Sequence, residues 1–161
     1  MSVNECNERG ILMAYFAIIA SIFTGEYFIK ELVEHYVKSG EKKLILKEKL
    51  FLTKYHNYGA ALNFMEKKQG IVAILSVILS IICTICFLIT FTRGGKEPLK
   101  LSLAFLLGGA YSNTYDRLKR KYVVDYVGFH HKKKRKKEII YNLSDFCIIL
   151  GAMFSALFGI K

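Results

Sequence analysis

The chain has 161 residues, of which 53% are hydrophobic and 14% aromatic, with one Pro, no Trp and a mean hydropathy of +0.28. That is too apolar for a soluble domain of this size and predicts a single integral membrane domain over residues 1–161. The formal net charge of +11 comes with no recognition fold, so it does not point to nucleic acid as a partner.

Ile11 to Ile29 is the first predicted span, interrupted late by Thr24, Gly25 and Glu26. Glu5, Glu8 and Arg9 precede it and no small-x-small cleavage site follows it, so it reads as a retained span and not as a cleaved secretory signal. Ile71 to Thr92 has no charged residue, lies between Lys67-Lys68 and Arg93, and meets the roughly 20 apolar residues that a spanning helix needs. A shorter third span is expected near 101–116 and a fourth near 139–160, the latter containing Asp145. The stretch 42–64 alternates short aliphatic runs with charge, and Tyr122 to Phe129 is rich in β-branched and aromatic residues. Together 42–64 and 122–138 predict a small sheet on the membrane surface, with helix an alternative for Lys42 to Lys54.

Four crossings put both termini and the loop Arg93 to Lys100 on one face of the membrane, and both long polar segments on the other. That second face receives the ends of spans three and four, where Asn-x-x-Asp occurs twice, as Asn113 to Asp116 and as Asn142 to Asp145. An Asp at the centre of a spanning helix costs roughly 2.5–3.5 kcal/mol, so its usual explanation is function. Gly109, Asn113 and Asp116 share one helical face, and Gly108, Gly109 and Ala110 would let a neighbouring helix come close. If Asp116 and Asp145 meet in a low-dielectric site, one holds a proton while the other stays charged, which is the arrangement that activates water against a carbonyl. The alternative is two interfacial residues, Asp116 paired with Arg117 and Asp145 with Lys137; the amide one turn before each carboxylate weighs against it.

Cys83, Cys86 and Cys147 fall within apolar spans and do not suggest a disulfide framework. Cys83-Thr-Ile-Cys86 has redox-type spacing, but no basic group nearby favours a thiolate, so the pair reads as two small residues one turn apart. His35, His56, His130 and His131 lack a matched ligand set, and neither a metal nor a cofactor is expected.

Asn57-Tyr-Gly59-Ala60-Ala61-Leu62, Gly108-Gly109-Ala110-x-x-Asn113-x-x-Asp116-Arg117-Leu118, Val123-Val124-Asp125-Tyr126 and Tyr141-Asn142-Leu-Ser-Asp145 resemble, in order and position, the lipoprotein signal peptidases (signal peptidase II). Glu26-x-x-x-Lys30 and Phe129-His130-His131 are similar to that family's Asp-x-x-x-Lys and Phe-His-Trp. The resemblance covers nearly the whole chain. It implies an all-α membrane bundle of four transmembrane helices with a small extracytoplasmic β-cradle, multi-pass and monomeric in the bacterial cytoplasmic membrane, with its active site toward the outer face. The implied activity is an aspartic endopeptidase that removes the signal peptide from diacylglyceryl-modified prolipoproteins, cutting before the lipidated Cys.

Carried over residue by residue, Asp116 and Asp145 match the catalytic dyad, and Asn57, Asn113, Arg117 and Asn142 match polar residues that hold substrate or carboxylates. Asp125 matches an Asp read as bracing the cradle, and Gly59 a tight backbone position. The chain departs from the family pattern with Glu26 for Asp, Ser144 for Ala, Tyr141 for Phe, and the lack of Trp. None of these removes a catalytic group.

Of the 24 Lys and Arg residues, only Arg9, Arg93, Lys96, Lys100 and Lys161 lie away from the dyad face. The positive-inside rule alone would put the dyad in the cytoplasm, opposite to the resemblance, but it weakens for long loops. Part of the excess is one cluster, Lys132, Lys133, Lys134, Arg135, Lys136 and Lys137, a composition suited to anionic lipid headgroups or to a solvated loop. Two further functions stay open on the sequence. One is a non-catalytic membrane protein that binds lipidated peptides or a membrane partner, and the other is a small adaptor working through its basic loop.

Overall fold

Four helices and one antiparallel sheet follow each other as α1 (Val3–Tyr36), β1 (Lys43–Ile45), β2 (Leu50–Asn57), a 3-10 turn (Glu66–Lys68), α2 (Gln69–Thr92), α3 (Glu97–Lys119), β3 (Val123–Phe129), β4 (Ile140–Tyr141) and α4 (Leu143–Gly159). The computed structural model describes residues 3–60, 64–92, 95–129 and 139–159, with side chains described for 10–60, 64–91, 95–129 and 139–159. Ala61, Leu62, Arg93, His130, His131, the cluster Lys132 to Lys137 and Lys161 lie outside the described residues.

The helices run differently from the predicted spans at their ends. Helix α1 continues to Tyr36, because no Gly or Pro interrupts Glu26 to Ser39, and a turn with Gly40 at φ +80° follows. Helix α4 begins at Leu143 and not near 139, because Ile140 and Tyr141 pair with Gly128 and Val127 as a sheet strand. Among the described residues, Gly10–Tyr36 and Glu66–Phe91 are long and apolar enough to cross a membrane; α4 is apolar but shorter. Helix α2 exposes Ile74, Ile78, Ile81 and Ile85, a surface that suits lipid and not water.

Strand is the outcome for the ambiguous Lys42 to Lys54, which contributes β1 and most of β2 to one sheet of order β1, β2, β3, β4. The physical reason lies in β3, whose β-branched and aromatic run offers β2 a long partner, from Leu50 opposite Phe129 to Asn57 opposite Val123, with a register shift between Leu52 and Tyr55. This brings Asn57 next to the start of β3, and therefore next to Asp125.

Helix α3 packs against all three other helices. A Cβ on Gly109 would stand 2.5 Å from the Ser144 carbonyl oxygen, and one on Gly151 would stand 2.6 Å from Leu106 N. Helices α3 and α4 thus touch backbone to backbone, as the small residues predicted. One apolar core joins Tyr15, Ile19, Phe87, Leu103, Ala104 and Leu107. A second joins Val33 and Val37 at the end of α1 to Val124 and Tyr126 of the sheet. Helix α2 leans on α3 but is not packed against α4, and an open cleft of about 800 Å³ lies between them.

Candidate active site

The second Asn-x-x-Asp is a helix N-terminus. Asn142 is the capping residue of α4: its Oδ1 accepts from Asp145 N at 2.9 Å, and Asp145 Oδ2 accepts from Asn142 N at 3.1 Å. This is the reciprocal geometry of a capping box, with Asp in the place usually held by Glu. The other leading N–H groups of α4 are met from outside the helix, Leu143 N donating to Tyr126 Oη at 3.1 Å and Ser144 N to Glu26 Oε1 at 3.0 Å. Asn142, Tyr126 of β3 and Glu26 of α1 thus fix where Asp145 stands.

The first Asn-x-x-Asp lies near the C-terminal end of α3, and its two members face different partners. Asn113 Nδ2 donates to Asp145 Oδ1 at 2.9 Å, tying α3 to α4. Asp116 is fully buried and faces α1, with its Oδ2 2.9 Å from Lys30 Nζ and its Oδ1 3.5 Å from Arg120 Nε. Lys30, equally buried, also donates to Ser112 Oγ at 3.0 Å and Asn113 Oδ1 at 2.9 Å. Lys30 and Arg120, and not Arg117, hold Asp116, two asparagines hold Asp145, and Lys137, the alternative partner for Asp145, lies outside the described residues.

Asp125, expected to brace the sheet, stands beside Asp145. Asn142 Nδ2 donates to Asp125 Oδ1 at 2.7 Å while the same residue's main chain donates to Asp145, and Asn57 Nδ2 donates to Asp125 Oδ2 at 3.0 Å. Both carboxylates line the cleft between α2 and α4, which Asp116 does not. Each has both oxygens occupied by neutral amide donors, whereas Asp116 has two cations. Burial, reinforced by the charge of Asp145, pushes the Asp125 carboxyl up to about 7.

Around the pair, Asn57 Oδ1 accepts from Gly59 N at 3.1 Å, and Arg117 donates from Nη2 to Gly59 O at 3.2 Å and from Nη1 to Asn113 O at 3.3 Å. Arg117 lines the cleft, and its buried Nε has no hydrogen-bond partner among the described residues. The cleft walls are apolar: Val72, Leu75 and Leu79 from α2 face Ile148 and Ile149 from α4, with Ala110 of α3 between them. Among the described residues no cluster of His, Cys, Asp and Glu could hold a metal ion, and Cys83, Cys86 and Cys147 are free thiols.

All eight predicted site residues are in this region; the carboxylate that Asn142 joins to Asp145 is Asp125 of β3, while Asp116 faces Lys30 and Arg120. The signal that singles out Asp125 is its isolation, as the only charged residue in Tyr122 to Phe129. Tyr126 and Ser112, which hold the α4 N-terminus and Lys30, carried no such signal.

Residues 18–161 match the family described as Signal peptidase (SPase) II. Similar proteins include a lipoprotein signal peptidase of Clostridium tetani, 30% identical over 94% of this chain and 92% of that protein, and one of Brevibacillus brevis, 32% identical over 86% and 89%. The fold is shared with a bacterial membrane enzyme solved by the in meso method at 2.3 Å resolution, with a TM-score of 0.76 and 20% identity, over 92% of this chain and 88% of that one. The chain therefore belongs to the signal peptidase II family of aspartic peptidases.

Proposed function

We propose that this chain is an intramembrane endopeptidase that removes signal peptides from diacylglyceryl-modified prolipoproteins, with Asp125 and Asp145 as the water-activating pair. The observation that carries the reading is the bridge by Asn142, which holds a buried carboxylate, Asp125, and a half-buried one, Asp145, side by side at the polar end of an apolar cleft. Asp116, first expected as the partner of Asp145, is in this reading a structural residue: its oxygens face Lys30 and Arg120 and it does not line the cleft.

The chemistry follows from one shared proton. Asp125 carries it, and Asp145 as base takes a proton from water as the oxygen attacks the carbonyl before the lipidated Cys. Asp125 gives its proton to the carbonyl oxygen, forming a neutral gem-diol. Collapse breaks the C–N bond: Asp145 passes its proton to the leaving amine while Asp125 recovers one from a diol hydroxyl. The products are a peptide carboxyl group and a free amino-terminal Cys, and the pair is restored. Arg117, with an N–H to spare among the described residues, is placed to hold a substrate carbonyl.

The reading extends to four membrane crossings, a cradle and dyad on the outer face, a monomer, and contact of Lys132 to Lys137 with anionic headgroups. Family membership supports the first two; composition supports the last.

Incubation of the purified protein with a diacylglyceryl-modified prolipoprotein tests the assignment. Asp125→Asn and Asp145→Asn should each abolish release of the signal peptide without loss of fold, while Asp116→Asn, assayed below its lowered melting point, should still cleave. Cleavage surviving in Asp125→Asn would overturn the pair, and binding without cleavage by the wild type would favour a binding module.

A further inference from the structure

At the end of the sheet away from Asn57, Leu50 pairs with Phe129 and the β1–β2 turn projects. Strand β2 has eight residues, so this turn stands roughly 25 Å from the site end of the sheet. It reads Lys42-Lys43-Leu44-Ile45-Leu46-Lys47-Glu48-Lys49, and all eight residues are exposed. Leu44, Ile45 and Leu46 are three consecutive aliphatics with relative exposures of 50%, 38% and 67%. Leu46, Lys47 and Glu48 have φ of 48°, 55° and 63°, a left-handed run that side-chain-bearing residues rarely adopt and that stores strain. Among the described residues nothing buries the three aliphatics to reward this conformation.

A second observation gives the level of the bilayer. Phe28, Leu32 and Tyr36 lie at i, i+4 and i+8 on α1, and all are well exposed. This stripe continues ten residues beyond Glu26, about 15 Å of helix, and ends in a Tyr, a residue enriched at the lipid–water boundary. Just beyond it Ser39 bridges to Lys54 in the middle of β2. The lipid-facing surface of α1 therefore reaches the level at which the sheet is attached.

We propose that the β1–β2 turn dips into the leaflet on the dyad side. Leu44, Ile45 and Leu46 enter the acyl boundary, while Lys42, Lys43, Lys47 and Lys49 ring it against anionic headgroups. Glu41 and Glu48 offset part of that charge, and Lys43 lies 3.6 Å from Glu41, yet the segment keeps a positive balance. Lipid fits the patch better than a second copy of the chain does, because two such tips brought together would oppose their lysine rings. The turn thereby anchors the outer end of a sheet whose inner end carries Asn57 and Asp125.

The lack of any Trp makes the test direct. The full chain carrying Leu46→Trp is reconstituted in phosphatidylcholine bilayers with and without phosphatidylglycerol, using lipids brominated near the headgroup end of the acyl chain. Emission should shift to the blue and lose most of its intensity to the brominated lipid. The loss should be larger with phosphatidylglycerol, and smaller when Lys43, Lys47 and Lys49 are changed to Gln. Ile45→Trp provides a second position if the indole at the first disturbs the turn. Emission of a hydrated indole at both positions would overturn the proposal, as would a blue shift without quenching by lipid. Quenching reads the contact whether or not the dyad cleaves anything.

Discussion

Two kinds of buried carboxylate coexist within a few side chains of each other, and their partners separate their roles. Asp116 and Lys30 neutralise each other at 2.9 Å with almost no solvent contact. Removing one member of such a pair strands the other and costs about 3–5 kcal/mol, whereas removing both costs far less. Lys30→Met should therefore lower the melting temperature in detergent sharply, and Lys30→Met with Asp116→Leu should recover most of it; equal losses in both would contradict an ion-pair role. Asp125 is the opposite case. Its carboxyl is pushed up to about 7, against about 3.9 in an unfolded chain, so the folded protein holds the proton more tightly. The resulting stabilisation is fully present below about pH 4 and is lost as the pH rises through about 7. The same ionisation removes the shared proton, so kcat/KM should fall on the alkaline side of neutrality, and Asp125→Asn should flatten the pH dependence of stability. A wild-type rate that stays level as pH rises through neutrality would refute the role of Asp125 as proton holder. The departures Glu26 and Ser144 also find a joint explanation at this scale. Glu26 Oε1 accepts from both the N–H and the hydroxyl of Ser144, at 3.0 and 3.2 Å, and Glu26 Oε2 accepts from Tyr126 Oη at 2.7 Å.

Elements position the site through backbone contact, and there the sequence was informative up to a point. Gly108 and Gly109 were legible as a place for close helix approach, but not which neighbour each would meet. A Cβ at Gly108 meets the Ile22 side chain at 2.8 Å, whereas one at Gly109 meets the Ser144 carbonyl at 2.5 Å. A side chain can yield and a helix backbone cannot, so Gly109→Ala should push the first turn of α4, with Asp145, away from Asn113 and lose most cleavage activity. Gly108→Ala should keep most of it. Comparable activity of the two variants in the prolipoprotein assay would show that α4 tolerates displacement. The strands were harder to read than the helices, since apolar runs over 42–54 fit either period; what decided them was β3, whose pairing is long-range and invisible to a local window. The pairing of Asp125 with Asp145 was hidden for the same reason. Helical spacing relates residues on one helix, but only the sheet register brings Asn57 and Asp125 against the α4 N-terminus. The two copies of Asn-x-x-Asp have different structural roles, one a helix cap and the other a link from α3 to two different neighbours.

The whole molecule is built around α3, which every other helix touches, while α2 and α4 stand apart. That asymmetry leaves an apolar cleft of about 800 Å³, large enough for acyl chains, with the carboxylate pair at one end. Ser80 and Thr114 share a hydrogen bond at 3.0 Å, and Thr84 and Tyr111 one at 2.6 Å, so hydroxyl pairs hold α2 to α3, the first of them in the lining of the cleft. Interhelical bonds of this kind are worth about 0.6 kcal/mol each on average in a membrane, enough in sum to fix a wall but not to close it. If the cleft receives the diacylglyceryl group, filling it should weaken substrate binding without touching the chemistry. Ala110 lines the cleft from α3, and Ala110→Leu adds three carbons to the space an acyl chain would use. Misfits of one methylene in an apolar pocket are worth about 1–3 kcal/mol, so KM for a long-chain diacylated substrate should rise tenfold or more while kcat changes little. A short-chain analogue, which leaves the deep cleft empty, should be affected much less. The thermal midpoint should hold, because the new side chain enters open space and not packed core. An equal rise in KM for both substrates would place the acyl chains elsewhere and leave the cleft to the signal peptide itself.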